Sequence, residues 1–159
     1  QLAKRRGARV IAVASAGKQQ EVMVLGADQV IDREANIMDV LSTETIDVIV
    51  DLVAGPSWPR LLEVLKRGGR YITAGAIAGP IVEMDVRTLY LKDLTLLGAT
   101  YQDDEIFPNL ISYIETGEIC STLAATYQLS DIARAQEDFL AKKHTGKLVL
   151  LPPKIGDKA

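Results

Sequence analysis

The sequence predicts an α/β fold, a doubly wound parallel sheet with helices on both faces. Three observations predict it. Short uninterrupted apolar runs rich in β-branched residues, such as Val10, Ile11, Ala12, Val13 and Ala14, suit strands buried on both faces. Apolar residues at helical spacing, such as Trp58, Leu61, Leu62 and Leu65, mark the core faces of helices between those runs. The two patterns alternate with short, glycine-punctuated connections, which is the signature of strand–helix–strand units. The chain has 159 residues, 48% of them hydrophobic, enough to bury a core. A formal net charge of -3 gives no basic footprint for nucleic acid. The single cysteine, Cys120, excludes an intrachain disulfide, and the single histidine, His144, excludes a histidine-based metal cluster within the chain. No apolar run reaches the length of about 18 residues that a membrane span needs, and no signal peptide is visible, so a cytoplasmic protein is expected.

Taken in order, residues 1–6 carry Lys4, Arg5 and Arg6 before Gly7, the chemistry of a helix end whose start is not in the chain. The run ending at Ala14 is the first strand. Residues 18–25 form a short helix with Val22 and Leu25 inward, stopped by Gly26. Gln29, Val30 and Ile31 form a brief strand, and residues 35–41 a short helix. Residues 47–53 form a buried strand that contains Asp51. The helix of Trp58 and Leu65 is ended by Gly68 and Gly69, and Arg70, Tyr71, Ile72, Thr73 and Ala74 make the next strand, closing on Gly75. A helix over 86–91 precedes a strand that begins at Leu94. Ile106, Phe107, Leu110, Ile111 and Ile114 lie on one face of a helix ended by Gly117. A strand over 124–129 follows, then a helix with Ser130 as its N-cap, a strand over 147–151, and a tail from Lys154 that frays.

In an open parallel sheet, ligands bind at the carboxyl ends of the strands. The first such end reads Ser15, Ala16, Gly17, Lys18. In dinucleotide-binding folds an acid here holds the ribose 2′-hydroxyl. This sequence offers a hydroxyl and an ammonium instead, which suit a 2′-phosphate, and Arg33 at the next strand end reaches the same place. The structural alternative makes Ser15 a helix cap and leaves Lys18 in solvent. Asp51, an acid inside an apolar strand, needs a partner. A ribose hydroxyl and a nearby backbone N–H are the two candidates. Val53, Gly75, Ala76 and Ile77 line the ends of the strands over 47–53 and 70–74. No serine elbow, phosphate loop or metal-spaced acid cluster is present, and no side chain is an evident proton donor, so the catalytic residues stay unassigned. The tyrosines, Tyr71 among them, read as core or rim.

Several stretches together resemble the medium-chain dehydrogenase/reductase superfamily. They are Gly7-Ala8-Arg9-Val10-Ile11, Leu25-Gly26-Ala27-Asp28, Asp47-Val48-Ile49-Val50-Asp51, Leu65-Lys66-Arg67-Gly68-Gly69-Arg70, and the closing His144-Thr145-Gly146-Lys147-Leu148-Val149. The texture is that of the NADPH quinone oxidoreductase or zinc-type alcohol dehydrogenase-like branch. The resemblance implies a Rossmann-type sheet lacking its first strand and its glycine-rich loop. It divides the chain into a partial cofactor domain over 1–117 and a segment over 118–159 that returns to a catalytic domain. It implies NADPH as cofactor, with Ser15 and Lys18 on the 2′-phosphate, Gly75, Ala76 and Ile77 beside the nicotinamide, and His144 returning to the cofactor cleft. Arg33 falls where quinone oxidoreductases carry a tyrosine. It further implies a homodimer through the edge strand that begins at Leu94 and ends at Ala99, and a small quinone, enone or carbonyl substrate. A non-enzymatic dinucleotide-binding or dimerisation module is the alternative. Without its central strand the chain is expected not to fold as an ordinary Rossmann domain. A strand from elsewhere filling that slot, or an empty slot, are the two expected outcomes.

Overall fold

A computed structural model describes residues 1–153, so the expectation of a frayed tail from Lys154 lies outside the described residues. The strands come first. β1 (Ile11–Ala14) and β2 (Gln29–Asp32) form one two-stranded sheet. β3 (Ile46–Asp51), β4 (Leu65–Thr73) and β5 (Thr95–Gly98) form a second, and β6 (Leu123–Gln128) with β7 (Lys147–Leu151) a third. β3 pairs parallel to β4, β4 parallel to β5, and β6 parallel to β7. Helices occupy the connections: α1 (Leu2–Arg5), α2 (Gln19–Val24), α3 (Ile37–Val40), α4 (Trp58–Val64), α5 (Val86–Leu91), α6 (Ile106–Glu115) and α7 (Ile132–Ala141). The α/β class with parallel pairing is therefore present, but as three small sheets rather than one. Among the described residues, no strand pairs with the second edge of β1 or of β3.

That open edge explains one departure from expectation. β1 and β3 do not lie buried on both faces: Val13 and Val48 are exposed, and Val50 is 69% exposed. An apolar parallel strand buries both faces only where neighbouring strands and helices cover it.

Three boundaries also differ. Helix α4 stops at Val64, and Leu65 is the first residue of β4 rather than the last core position of the helix. The buried ammonium of Lys92 donates to the carbonyls of Leu62 and Glu63, both at 2.9 Å, and so closes the helix one turn early. Gly68 and Gly69 therefore lie within β4, where they form a bulge. Ile46 pairs with Leu65 but Val48 with Arg70, and Gly68 takes φ +73. Ser130 is not the N-cap of α7. A 3-10 turn over Leu129–Asp131 absorbs it and moves the cap position to Asp131.

The chain groups into two compact units. The first comprises Gln1–Ala12, Ala16–Val30 and the described residues from Glu105 on. The second comprises Val13–Ser15 and Ile31–Asp104. The apolar core sits in the second unit, where Trp58, Leu62, Leu65, Tyr71 and Leu94 pack together with Ile49, Leu89 and Leu96 around them. In the first unit Ala135 is buried, while α6 leaves Phe107, Ile111 and Ile114 exposed. No described helix is long and apolar enough to cross a membrane.

Candidate functional site

The second unit gathers strand ends. The amide of Arg33 donates to the carbonyl of Ala14 at 2.9 Å, so the ends of β1 and β2 lie side by side and Ser15 neighbours Arg33. Ser15 is half-buried and Arg33 exposed. Neither side chain makes a hydrogen bond or ion pair among the described residues. Ser15 is no helix cap: α2 has Lys18 at its cap position, with no side-chain cap bond. A hydroxyl beside a guanidinium at a strand end is a set of donors suited to an oxyanion.

The ends of β3 and β4 are joined more tightly. Ala74 donates to the carbonyl of Asp51 at 3.0 Å and Ala78 to that of Val53 at 2.9 Å. A Cβ placed on Gly75 would lie 2.9 Å from the carbonyl oxygen of Leu52, so the two loops meet with no room for a side chain. Val53, Gly75, Ala76 and Ile77 thus lie on one pair of loops, with Val53 and Ile77 exposed.

Asp51, 7% exposed, takes the backbone alternative. Its Oδ1 accepts from the amides of Val53 at 2.8 Å and Ala54 at 3.2 Å. Its Oδ2 accepts from Ala54 at 3.1 Å and from the Tyr71 hydroxyl at 2.5 Å. Both oxygens are committed inside the unit, so this side chain shapes the loop. Burial, then the Asp51 carboxylate, push the Tyr71 hydroxyl up to about 12, which keeps it a donor. The register of β4 on β3 brings this pair together. Ile49 pairs with Tyr71 and Asp51 with Thr73, so period-two alternation puts Tyr71 on the same face as Asp51. Trp58, Tyr71 and Leu96 wall a cleft of about 400 Å³ to which Ala54 and Ala76 contribute from the two loops.

The first unit holds the other two candidates. Lys18 donates through Nζ to the carbonyl of His144 at 2.6 Å, which ties the start of α2 to the turn before β7. One of its three N–H donors is taken and two remain. The His144 ring lies 6.0 Å from that of Phe139. Its Nδ1 and the neighbouring Thr145 Oγ1 are buried with no partner. They border a cavity of about 480 Å³ with Glu21, Val24, Leu25 and Lys143 on its walls. Among the described residues, no group of three His, Cys, Asp or Glu side chains could hold a metal ion.

A family model described as zinc-binding dehydrogenase matches residues 1–116. Acryloyl-coenzyme A reductase of Metallosphaera sedula is 30% identical over 155 residues, covering 94% of this chain and 45% of the relative. Quinone oxidoreductase 1 of Escherichia coli is 30% identical over 169 residues, covering 96% of this chain and 52% of the relative. The chain thus spans about half the length of these curated relatives. Among solved structures, a protein described as a putative alcohol dehydrogenase from Sinorhizobium meliloti superposes with a TM-score of 0.85 at 44% identity, covering 96% of this chain and 44% of that one.

Proposed function

The chain belongs to the zinc-binding dehydrogenase family, within the medium-chain dehydrogenase/reductase superfamily, and on that premise we propose that it is the C-terminal, cofactor-binding half of an NADPH-dependent oxidoreductase. The reaction passes hydride to a quinone, an enone or a carbonyl. The observation that carries the choice of NADPH is the pair of adjacent strand ends, where Ser15 and Arg33 stand side by side and no acid occupies the end of β1. The substrate class draws support from relatives named for a quinone and for acryloyl-coenzyme A, both of which carry a double bond conjugated to a carbonyl. Residues 1–117 belong to the cofactor domain in this reading and 118–159 return to the catalytic domain.

When bound, NADPH supplies the hydride, and the protein supplies orientation and electrostatics. Ser15 and Arg33 of the second unit hold the 2′-phosphate, and Lys18 of the first keeps two donors for an anion. Val53, Gly75, Ala76 and Ile77 give the nicotinamide an apolar wall on a fixed backbone. In the first unit the unpartnered Nδ1 of His144 leaves a polar atom free for a ligand. Among the described residues no cluster of His, Cys, Asp or Glu could hold zinc. The free outer edge of β5, with Leu97 46% exposed, supports a homodimer joined edge to edge. A cytoplasmic setting fits the lone cysteine.

The test uses the natural gene product. Lys18→Ala and Arg33→Ala should each weaken NADPH binding by about 1–3 kcal/mol and leave NADH binding little changed, measured by calorimetry. Equal losses for both cofactors would overturn the phosphate assignment. NADPH oxidation across quinones, enones and aldehydes tests turnover, and tight binding with no turnover of any of them would favour a binding module instead.

A further inference from the structure

We propose that Tyr71 is a positioning residue for the cofactor site: its buried hydroxyl, acting through Asp51, fixes the turn after β3 and with it the loop after β4. The role rests on the dinucleotide reading above and is exerted through Asp51.

The turn takes an uncommon conformation. Ala54 sits at φ +53 and Gly55 at φ +75, two successive left-handed residues. An alanine there is strained, because its Cβ crowds the neighbouring carbonyl. Something must hold it, and the amides of Val53 and Ala54 both point at the Asp51 carboxylate. That carboxylate is itself buried, and a side-chain donor completes the hydrogen bonding that the two amides begin. Tyr71 is that donor, and its high pKa keeps the proton on the hydroxyl at any working pH.

Tyr71 also reaches the turn from its other side. Its ring meets Trp58 edge-on, with centroids 5.5 Å apart and planes at 76°. The amide of Trp58 donates to the carbonyl of Gly55 at 3.1 Å. The turn is therefore held at Val53 and Ala54 by the hydroxyl's partner and at Gly55 by the ring's partner.

The fixed turn then fixes the second loop. Gly55 packs so closely on Ala78 that a Cβ there would lie 2.8 Å from the Ala78 Cβ, and Ala78 donates to the carbonyl of Val53. The backbone of both loops is locked while Val53 and Ile77 stand exposed upon it, the latter by 82%. A rigid backbone that presents unpartnered apolar side chains at the carboxyl ends of parallel strands is a preformed wall for a ligand. With the wall preformed, binding spends no free energy on ordering it.

Tyr71→Phe in the natural gene product separates the hydroxyl from the ring, since Phe retains the contact with Trp58. The dissociation constants for NADPH and NADH should rise by the same factor, roughly tenfold, as for loss of a buried hydrogen bond to a charged group. The KM for cofactor should rise with them and kcat should change less. Hydrogen exchange at the Val53 and Ala54 amides should accelerate. Tyr71→Leu, which removes the ring as well, should loosen the same amides further. A Tyr71→Phe protein that is less stable but binds both cofactors with unchanged affinity would overturn the positioning role and leave the function standing. No dinucleotide binding by the unaltered protein would overturn both. A loss confined to NADPH would also overturn the role, because Tyr71 acts away from the 2′-phosphate.

Discussion

Asp51 shows why a buried acid is kept in an otherwise apolar strand. Three donors converge on it, and one of them, Tyr71, is 2% exposed. The pair also makes stability depend on pH. Tyr71 titrates near 10 when unfolded and at about 12 in the fold, so the folded state retains the proton where the unfolded state loses it. Its contribution is complete below pH 10 and is lost as pH rises through 12. Chemical denaturation between those limits should show stability falling with pH, and Tyr71→Phe should flatten the slope. An unchanged slope in the variant would assign the loss to other groups. Ser15 and Arg33 belong to the same scale. Both were legible in the sequence as donors at strand ends, and the hydrogen bond from Arg33 to Ala14 supplies the adjacency that sequence spacing leaves open.

Elements are where the sequence pattern was most and least informative. Helix α5 and strand β7 fall on the residues that the sequence pattern marks, because no tertiary contact shifts their ends. The end of α4 does not. Leu65 fits the helical stripe, yet it lies in a strand because Lys92, about 30 residues away in sequence, caps the helix first. Lys92→Met should lower stability by about 1–3 kcal/mol, since it removes two bonds and takes the ammonium donor from the buried Leu62 carbonyl, while the Glu63 carbonyl keeps the Glu44 amide. Urea unfolding measures this, and a neutral result would show that water replaces the ammonium. The glycines at 68 and 69 teach the same lesson. They punctuate the chain, but the register with β3 makes them a bulge rather than a helix stop.

On the scale of the whole molecule, the three sheets remain separate among the described residues, and β1, β3 and β5 each have an edge without a partner. Free edges that carry apolar side chains are where chains join. If two copies pair through β5, Leu97→Lys should weaken the dimer roughly tenfold or more by setting like charges across the junction. Sedimentation of the natural gene product measures it, and a dimer indifferent to the substitution would place the interface elsewhere.

The sequence by itself determined the α/β class, the order of the elements and the family, because each rests on local periodicity and on short motifs that tertiary contacts do not alter. It also marked which strand ends carry donors. Only the tertiary structure decided that Asp51 clamps a turn, that Tyr71 holds the clamp, and that Lys18 reaches the carbonyl of His144. Each of those depends on which strands pair and in what register, and a hydrogen bond between residues 20 or 126 positions apart leaves no trace in local spacing.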